Sequence, residues 1–202
     1  MAARRFPRKT SPKVRDGKVQ RKSRWEMPAN YYNTPQNELV FDRERPGHGF
    51  KHLMRLDDVR RFIGLLPMWG ELSEGLNAVV LARGEEDVHG WCYPGVVALC
   101  AWDREIALKS TNDAFYQEHK SLFEKLGIPC VQAGKRWHIE FDALTAKAFL
   151  LVHVLVHELG HHHDRITTRS QWESSRGEGY AEDYAVRYED AVLEAYVREF
   201  DL

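Results

Sequence analysis

The stretch that most constrains this chain is AFLLVHVLVHELGHHHD, residues 148–164. Leu144, Ala148, Leu151, Val152, Leu155 and Leu159 recur at three- and four-residue intervals, so the segment reads as one helix with a broad apolar stripe. Asp142 stands ahead of it as the expected N-cap, a carboxylate able to accept from the first unpaired backbone N–H groups. The apolar run is too short, and too polar afterwards, for a bilayer crossing to be expected. The chain therefore has to build its core around this helix.

The polar end of the helix carries the chemistry. His157 and His161 lie four residues apart and project from one face, one turn apart. Two imidazoles so placed can converge on one zinc ion. Glu158 stands about 100° further round, near enough to take a proton from water at the metal without being a ligand. Gly160, inside the motif, costs the helix up to about 1 kcal/mol, which makes sense if another backbone or a substrate packs against it. The plainer alternative is a helix end carrying two satisfied histidines. His153, one turn before His157, reads as a satisfied core histidine. His162 and His163 turn away toward solvent or a supporting role, and Asp164 either orients His161 or caps charge near the helix end.

A catalytic zinc keeps three protein ligands and one open position, so a third ligand must come from downstream. Residues 177–200 form the next expected helix, with Ala181, Ala185, Tyr188, Val192 and Tyr196 on one face. Glu182 is the leading candidate, because the small Ala185 beyond it would let the two helices approach closely. HELGH (157–161) followed by EDYA (182–185) on a separate helix resembles the HExxH…ExxA pattern of gluzincin metallopeptidases. It is most similar to their minimal single-domain members, including small bacterial peptidases that cleave phage-type repressors. The resemblance covers roughly residues 143–190. It implies a zincin-like domain in which Zn2+ is held by His157, His161 and Glu182, with Glu158 as general base. Such families often carry Asp or Asn four residues after the ligand glutamate, supporting a metal histidine, but here that position is Val186. Glu178, with Glu182 then as its supporting acid, and Asp183 stay open as alternatives. Beyond the metal, an oxyanion donor is sought among Tyr180, Tyr184, His162 and Arg176.

The rest of the chain predicts an α+β domain with a small, mainly antiparallel sheet. A helix is expected within 52–66, strands at 77–82, 95–102 and 105–109, and a second helix over 112–129 starting near an Asn cap. Residues 29–50 read as an irregular lead-in. KRWHIEF (135–141) alternates as a half-exposed strand; at the sheet edge it reads as an ordinary edge strand whose Arg136, His138 and Glu140 discourage aggregation, or else as one that takes on an extended substrate. Three scattered cysteines, with no CxxC pair, indicate reduced thiols and a cytoplasmic address.

Charge divides the chain in two. Residues 1–24 hold ten Lys/Arg against Asp16 alone, a net +9, whereas the remainder holds nineteen basic and twenty-nine acidic groups, a net −10. Residues 1–28 are expected to be a disordered basic tail on a 29–202 domain. Nucleic acid is the natural polyanionic partner of residues 1–24, the alternatives being a solvated tail with no dedicated partner or docking onto the acidic body. The expected function is a zinc metalloendopeptidase acting on a protein or peptide substrate. With little room for a large substrate-binding lobe, its specificity should be narrow and regulatory. The rival is a zinc-stabilised nucleic-acid- or protein-binding module that works through its basic arm.

Overall fold

The computed structural model describes residues 29–105, 109–169 and 175–201, together with two short backbone segments near the N-terminus. In chain order the elements are β1 (Val14–Arg15), β2 (Lys18–Val19), β3 (Val40–Arg43), β4 (Phe50–Lys51), α1 (Leu56–Ile63), α2 (Trp69–Leu72), β5 (Ala78–Ala82), β6 (Gly90–Tyr93), β7 (Val96–Cys100), β8 (Trp102–Asp103), β9 (Lys109–Asn112), α3 (Asp113–Lys125), β10 (Cys130–Ala133), β11 (Arg136–Ile139), α4 (Ala143–Phe149), α5 (Val156–Thr167) and α6 (Gly177–Phe200). Leu150–Leu155, between α4 and α5, is a π-helical stretch. The architecture is α+β. Apart from the antiparallel β1–β2 pairing, the expected basic tail lies outside the described residues.

Strands β5 and β7 are apolar and buried at every position. Unbroken apolar runs belong to strands covered on both faces, the usual state of parallel strands. They do pair in parallel, in a four-stranded sheet of order β3-β5-β7-β6. Only β6 runs antiparallel, against β7. The expected mainly antiparallel main sheet is thus corrected to a mixed one. On one face Val79, Leu81, Val97 and Leu99 join the main core. On the other, Ala78, Val80, Ala98 and Cys100 are covered by Tyr31, Tyr32, Val40 and Trp91. The lead-in is therefore not irregular throughout: it supplies β3 and a lid over the second face.

A smaller antiparallel sheet has the order β10-β11-β9. The strand RWHI is its centre, bonded on both sides, so the edge-strand expectation for 135–141 is overturned. The strand expected over 105–109 falls partly on 106–108, outside the described residues. Asn112 caps α3 by accepting from Phe115 N–H at 2.9 Å. Asp142 Oδ1 accepts from Leu144 and Thr145 N–H at 2.9 and 2.7 Å, and Thr145 Oγ1 accepts from Asp142 N–H. That reciprocal box starts one continuous helix, Ala143–Thr167, longer than its apolar run foretold. By length and composition it could cross a membrane, but 72% of its apolar window is buried inside the fold. It is the central helix of the core.

Candidate metal centre

Helix α5 packs against α6 on one side and against β6 and β7 on the other. Gly160 makes the first approach possible. A Cβ built there would lie 2.9 Å from Ala181 Cα, 3.0 Å from Tyr184 Cβ and 3.1 Å from Ala181 O. Gly90 does the same on the sheet side, where a Cβ would meet Val154 Cγ1 at 2.7 Å and Glu158 Oε1 at 2.9 Å. Two glycines thus bring α6 and the edge strand β6 up to the motif from opposite sides.

Three donor atoms converge at the outer face of α5. Glu178 Oε2 lies 3.3 Å from His157 Nε2 and 3.3 Å from His161 Nε2. Tetrahedral zinc with bonds of about 2.0–2.1 Å needs ligand atoms about 3.3–3.4 Å apart, so both spacings fit without rearrangement. Two imidazole nitrogens and one carboxylate also match a catalytic zinc donor set. The Glu178 side chain is 85% exposed, so the cluster is open toward solvent. Glu182, expected in this ligand position, sits one turn further along and reaches the other nitrogen of the same ring, with Oε2 3.1 Å from His157 Nδ1. The geometry therefore groups Glu178 with the two Nε2 atoms and puts Glu182 at the Nδ1 side of the His157 ring. Asp183 lines the neighbouring cleft but is not among the grouped donors.

Electrostatics follow the same arrangement. Burial pushes the His157 imidazole down, but the Glu182 hydrogen bond and the surrounding carboxylates outweigh it and hold its pKa above the usual value. Burial raises the Glu182 carboxyl, yet hydrogen bonds from His153 and His157 take it well below the carboxylate range. Glu158 is buried with a counterweight only from His157 and Arg165, and its carboxyl is pushed up to about 7. Burial lowers His161, whose Nδ1 has no hydrogen-bond partner.

The other sequence candidates are placed elsewhere. His162 is buried, not exposed, and its Nε2 donates to Glu74 O at 2.8 Å. Tyr180 Oη and His163 Nδ1 share a 2.7 Å hydrogen bond, and Tyr184 packs on the His163 ring. None of the three lines the cleft at the donor cluster. Arg176 is taken up by Asp164, which accepts from its backbone N–H and from Nε, both at 2.8 Å. Asp164 thus pins the start of α6 and does not orient His161. His153 is buried as expected, with Nε2 2.9 Å from His119 Nε2, but its Nδ1 has no partner.

Two residues escaped the sequence reading. Arg165 stands four residues after His161, continuing the His157–His161 stripe, a signal that was present in the spacing. It lines one cavity with His157, Glu158 and His161, and donates to Cys92 Sγ and Cys92 O at 3.1 and 3.4 Å. Gly90 belongs to a strand with no alternating pattern, so nothing local marked it. On the other side of His157 and Glu158 lies an open cleft of about 560 Å³, which also reaches His119, His153 and Glu182. Comparison of the chain with protein-family models, with curated proteins and with solved structures finds no match to any of them.

Proposed function

We propose that the chain is a zinc-dependent peptidase of the minimal gluzincin type, with His157, His161 and Glu178 as metal ligands and Glu182 as the acid behind His157. The observation that carries this reading is the pair of 3.3 Å spacings from Glu178 Oε2 to the two Nε2 atoms. When bound, zinc would polarise a water and the scissile carbonyl. Glu158 accepts the proton from the attacking water and passes it to the leaving amine. Its carboxyl suits both directions, because burial holds its pKa close to neutrality. Glu182 fixes the tautomer of His157, taking the Nδ1–H so that Nε2 presents its lone pair outward. Arg165, one turn beyond His161 and lining the same cavity, would supply positive charge to the carbonyl oxygen as it becomes an oxyanion.

The substrate strand has a place to lie. His89 O accepts from Cys100 N–H at 2.8 Å, so alternate residues of β6 face β7 and the backbone groups of Gly90 and Cys92 face away from it. An extended peptide can add to that unpaired strand edge beside Glu158 at Gly90, with Arg165 giving up its 3.4 Å bond to Cys92 O where the peptide pairs with Cys92. The main chain would supply binding, which suits a regulatory peptidase that reads short extended segments. The basic residues 1–24 would direct targeting by binding a polyanion, and a cytoplasmic address fits the free thiols.

The test is Glu158→Gln. Cleavage of a peptide library should fall at least 100-fold while the zinc content of the protein is unchanged. A variant that still cut at the wild-type rate would remove Glu158 from the mechanism. Equal binding of the basic arm to nucleic acid, with no cleavage of any peptide by the wild type, would favour the binding-module reading.

A further inference from the structure

A second group of donors lies on the inner side of His157, and the reaction proposed above does not use it as such. It draws on three different elements. His119 comes from α3, His153 from the π-helical stretch and Glu182 from α6. One ligand atom from each lies within 4.8 Å of the others. Only about 6% of His119 and 5% of His153 is exposed.

We propose that His119, His153 and Glu182 form a second metal site, for zinc or a similar divalent transition ion, joined to the outer cluster through Glu182 and His157. The orientation of the rings carries the proposal. His119 Nδ1 donates to Phe115 O at 2.8 Å, a carbonyl that can only accept. Its Nε2 therefore holds a lone pair, and that lone pair points into the gap between the rings. His153 Nε2 faces the same gap at 2.9 Å, and Glu182 Oε2 stands 3.5 Å from His153 Nε2. These separations bracket the edge of about 3.3–3.4 Å that a tetrahedral zinc spans. A proton on His153 Nε2 can be shared between His119 Nε2 and Glu182 Oε2; a divalent ion entering the gap would displace that proton and take the same three donor atoms.

Glu182 has capacity for both duties. Its Oε2 accepts from His157 Nδ1 and keeps a second lone pair for the gap that it faces at 3.5 Å from His153 Nε2, while Oε1 is buried with no hydrogen-bond partner. Buried carboxylate oxygens are rarely left empty, because the desolvation of a charged acceptor is expensive. The surroundings fit an ion too. Phe115, Phe123 and Phe149 pack around the His119 ring and close one side. On the other side the cleft shared with His157 and Glu158 touches His119, His153 and Glu182, which gives an ion a route in and leaves room for a water ligand. A π-helical turn at the His153 position is consistent with a functional role, since such turns recur at functional sites.

The experiment counts metal on the full chain, stripped with chelator, reloaded with Zn2+, desalted and analysed by mass spectrometry. Wild type should hold two ions per chain. His119→Ala and the milder His119→Gln should each hold one, and His161→Ala should also hold one. Far-UV circular dichroism confirms that each variant is folded, and a zinc-edge anomalous map of wild-type crystals should show two peaks. A wild type with one ion and one peak, the ion lost in His161→Ala but kept in His119→Gln, would overturn the second site and leave the outer one standing. One ion lost in both His119 variants but kept in His161→Ala would do the reverse.

Discussion

Gly160→Ala is the sharpest structural test of how the two carboxylates of α6 come to stand at the imidazoles. The added Cβ would lie 2.9 Å from Ala181 Cα and 3.1 Å from Ala181 O. Carbon–carbon contacts are comfortable from about 3.5 Å, so α5 and α6 must part locally by about 0.6 Å. Both obstacles are backbone atoms, which cannot swing aside. Overpacking of this kind costs about 1–3 kcal/mol, offset by up to about 1 kcal/mol from replacing glycine in a helix. The net loss then spans about 0–3 kcal/mol; with backbone as the obstacle it should fall at about 1–2 kcal/mol, or roughly 2–8 °C in Tm for a domain of this size. Because Glu178 and Glu182 ride on the displaced helix, zinc affinity should also fall, on the order of tenfold, as when a partner of a metal ligand is disturbed. Thermal melts of the metal-free protein and competition with a chromophoric chelator measure the two effects separately. Gly179→Ala is the control, since a Cβ there meets nothing within 4 Å; it should raise stability by up to about 1 kcal/mol. If Gly160→Ala melted at or above wild type and held zinc as tightly, the close helix approach would not be what positions the carboxylates.

Glu182→Gln keeps the shape of the side chain but removes the charge behind His157, and should weaken zinc binding at the outer cluster about 10–100-fold; equal affinity in a competition titration would deny that residue its supporting role. Gly90→Ala should cost about 1–3 kcal/mol by overpacking against Val154 and Ala98 and should reduce cleavage more than metal content, as Glu158 is pushed from its seat. Asp164→Asn should destabilise the fold by about 1.5–3 kcal/mol, through loss of the charge-assisted bonds to Arg176, as read by urea unfolding. Burial raises the Asp164 carboxyl, but the Arg176 hydrogen bonds outweigh it and the pKa is lowered. Its contribution is therefore present above the ordinary aspartate value near about 4 and lost as pH falls through the lower folded value. The wild-type advantage over Asp164→Asn should accordingly shrink in acid and stay level between about pH 5 and 7.

Much of the long helix and its partner could be read from spacing, because an apolar stripe with a period of 3.6 residues and a capping aspartate are local properties. Helix α6 and the Asn112 cap were legible for the same reason. The sheet was not. Ala78–Ala82 and Val96–Cys100 were recognisable as strands, but their unbroken apolarity is also the mark of parallel pairing, and partner choice depends on chain segments far away. Gly90–Tyr93 carries no alternation at all, so the strand beside Glu158 went unseen. Glu178 and Glu182 lie one turn apart on one face of α6, and their spacing cannot say which reaches the outer nitrogens. The crossing at Gly160 and Ala181 decides that, and it exists only in three dimensions. Arg165 shows the opposite case, a residue on the motif's own stripe that was visible in the sequence and passed over.

The π-helical stretch sets an angle. A turn closed by i→i+5 bonds holds one residue more than an α turn, so the helix beyond Leu155 is rotated by about 100° from the course that the Asp142 cap alone would dictate. The long helix thus has two phases, one anchored at its cap among Phe141 and Phe149, the other facing α6. Deleting a single residue between Leu150 and Leu155 would leave HELGH, Glu178 and Glu182 untouched in sequence. It would nevertheless force a choice between keeping the cap in register and keeping His157 and His161 turned toward their carboxylates. The working geometry of the motif is stored partly upstream of it, as a rotation that no motif spacing encodes.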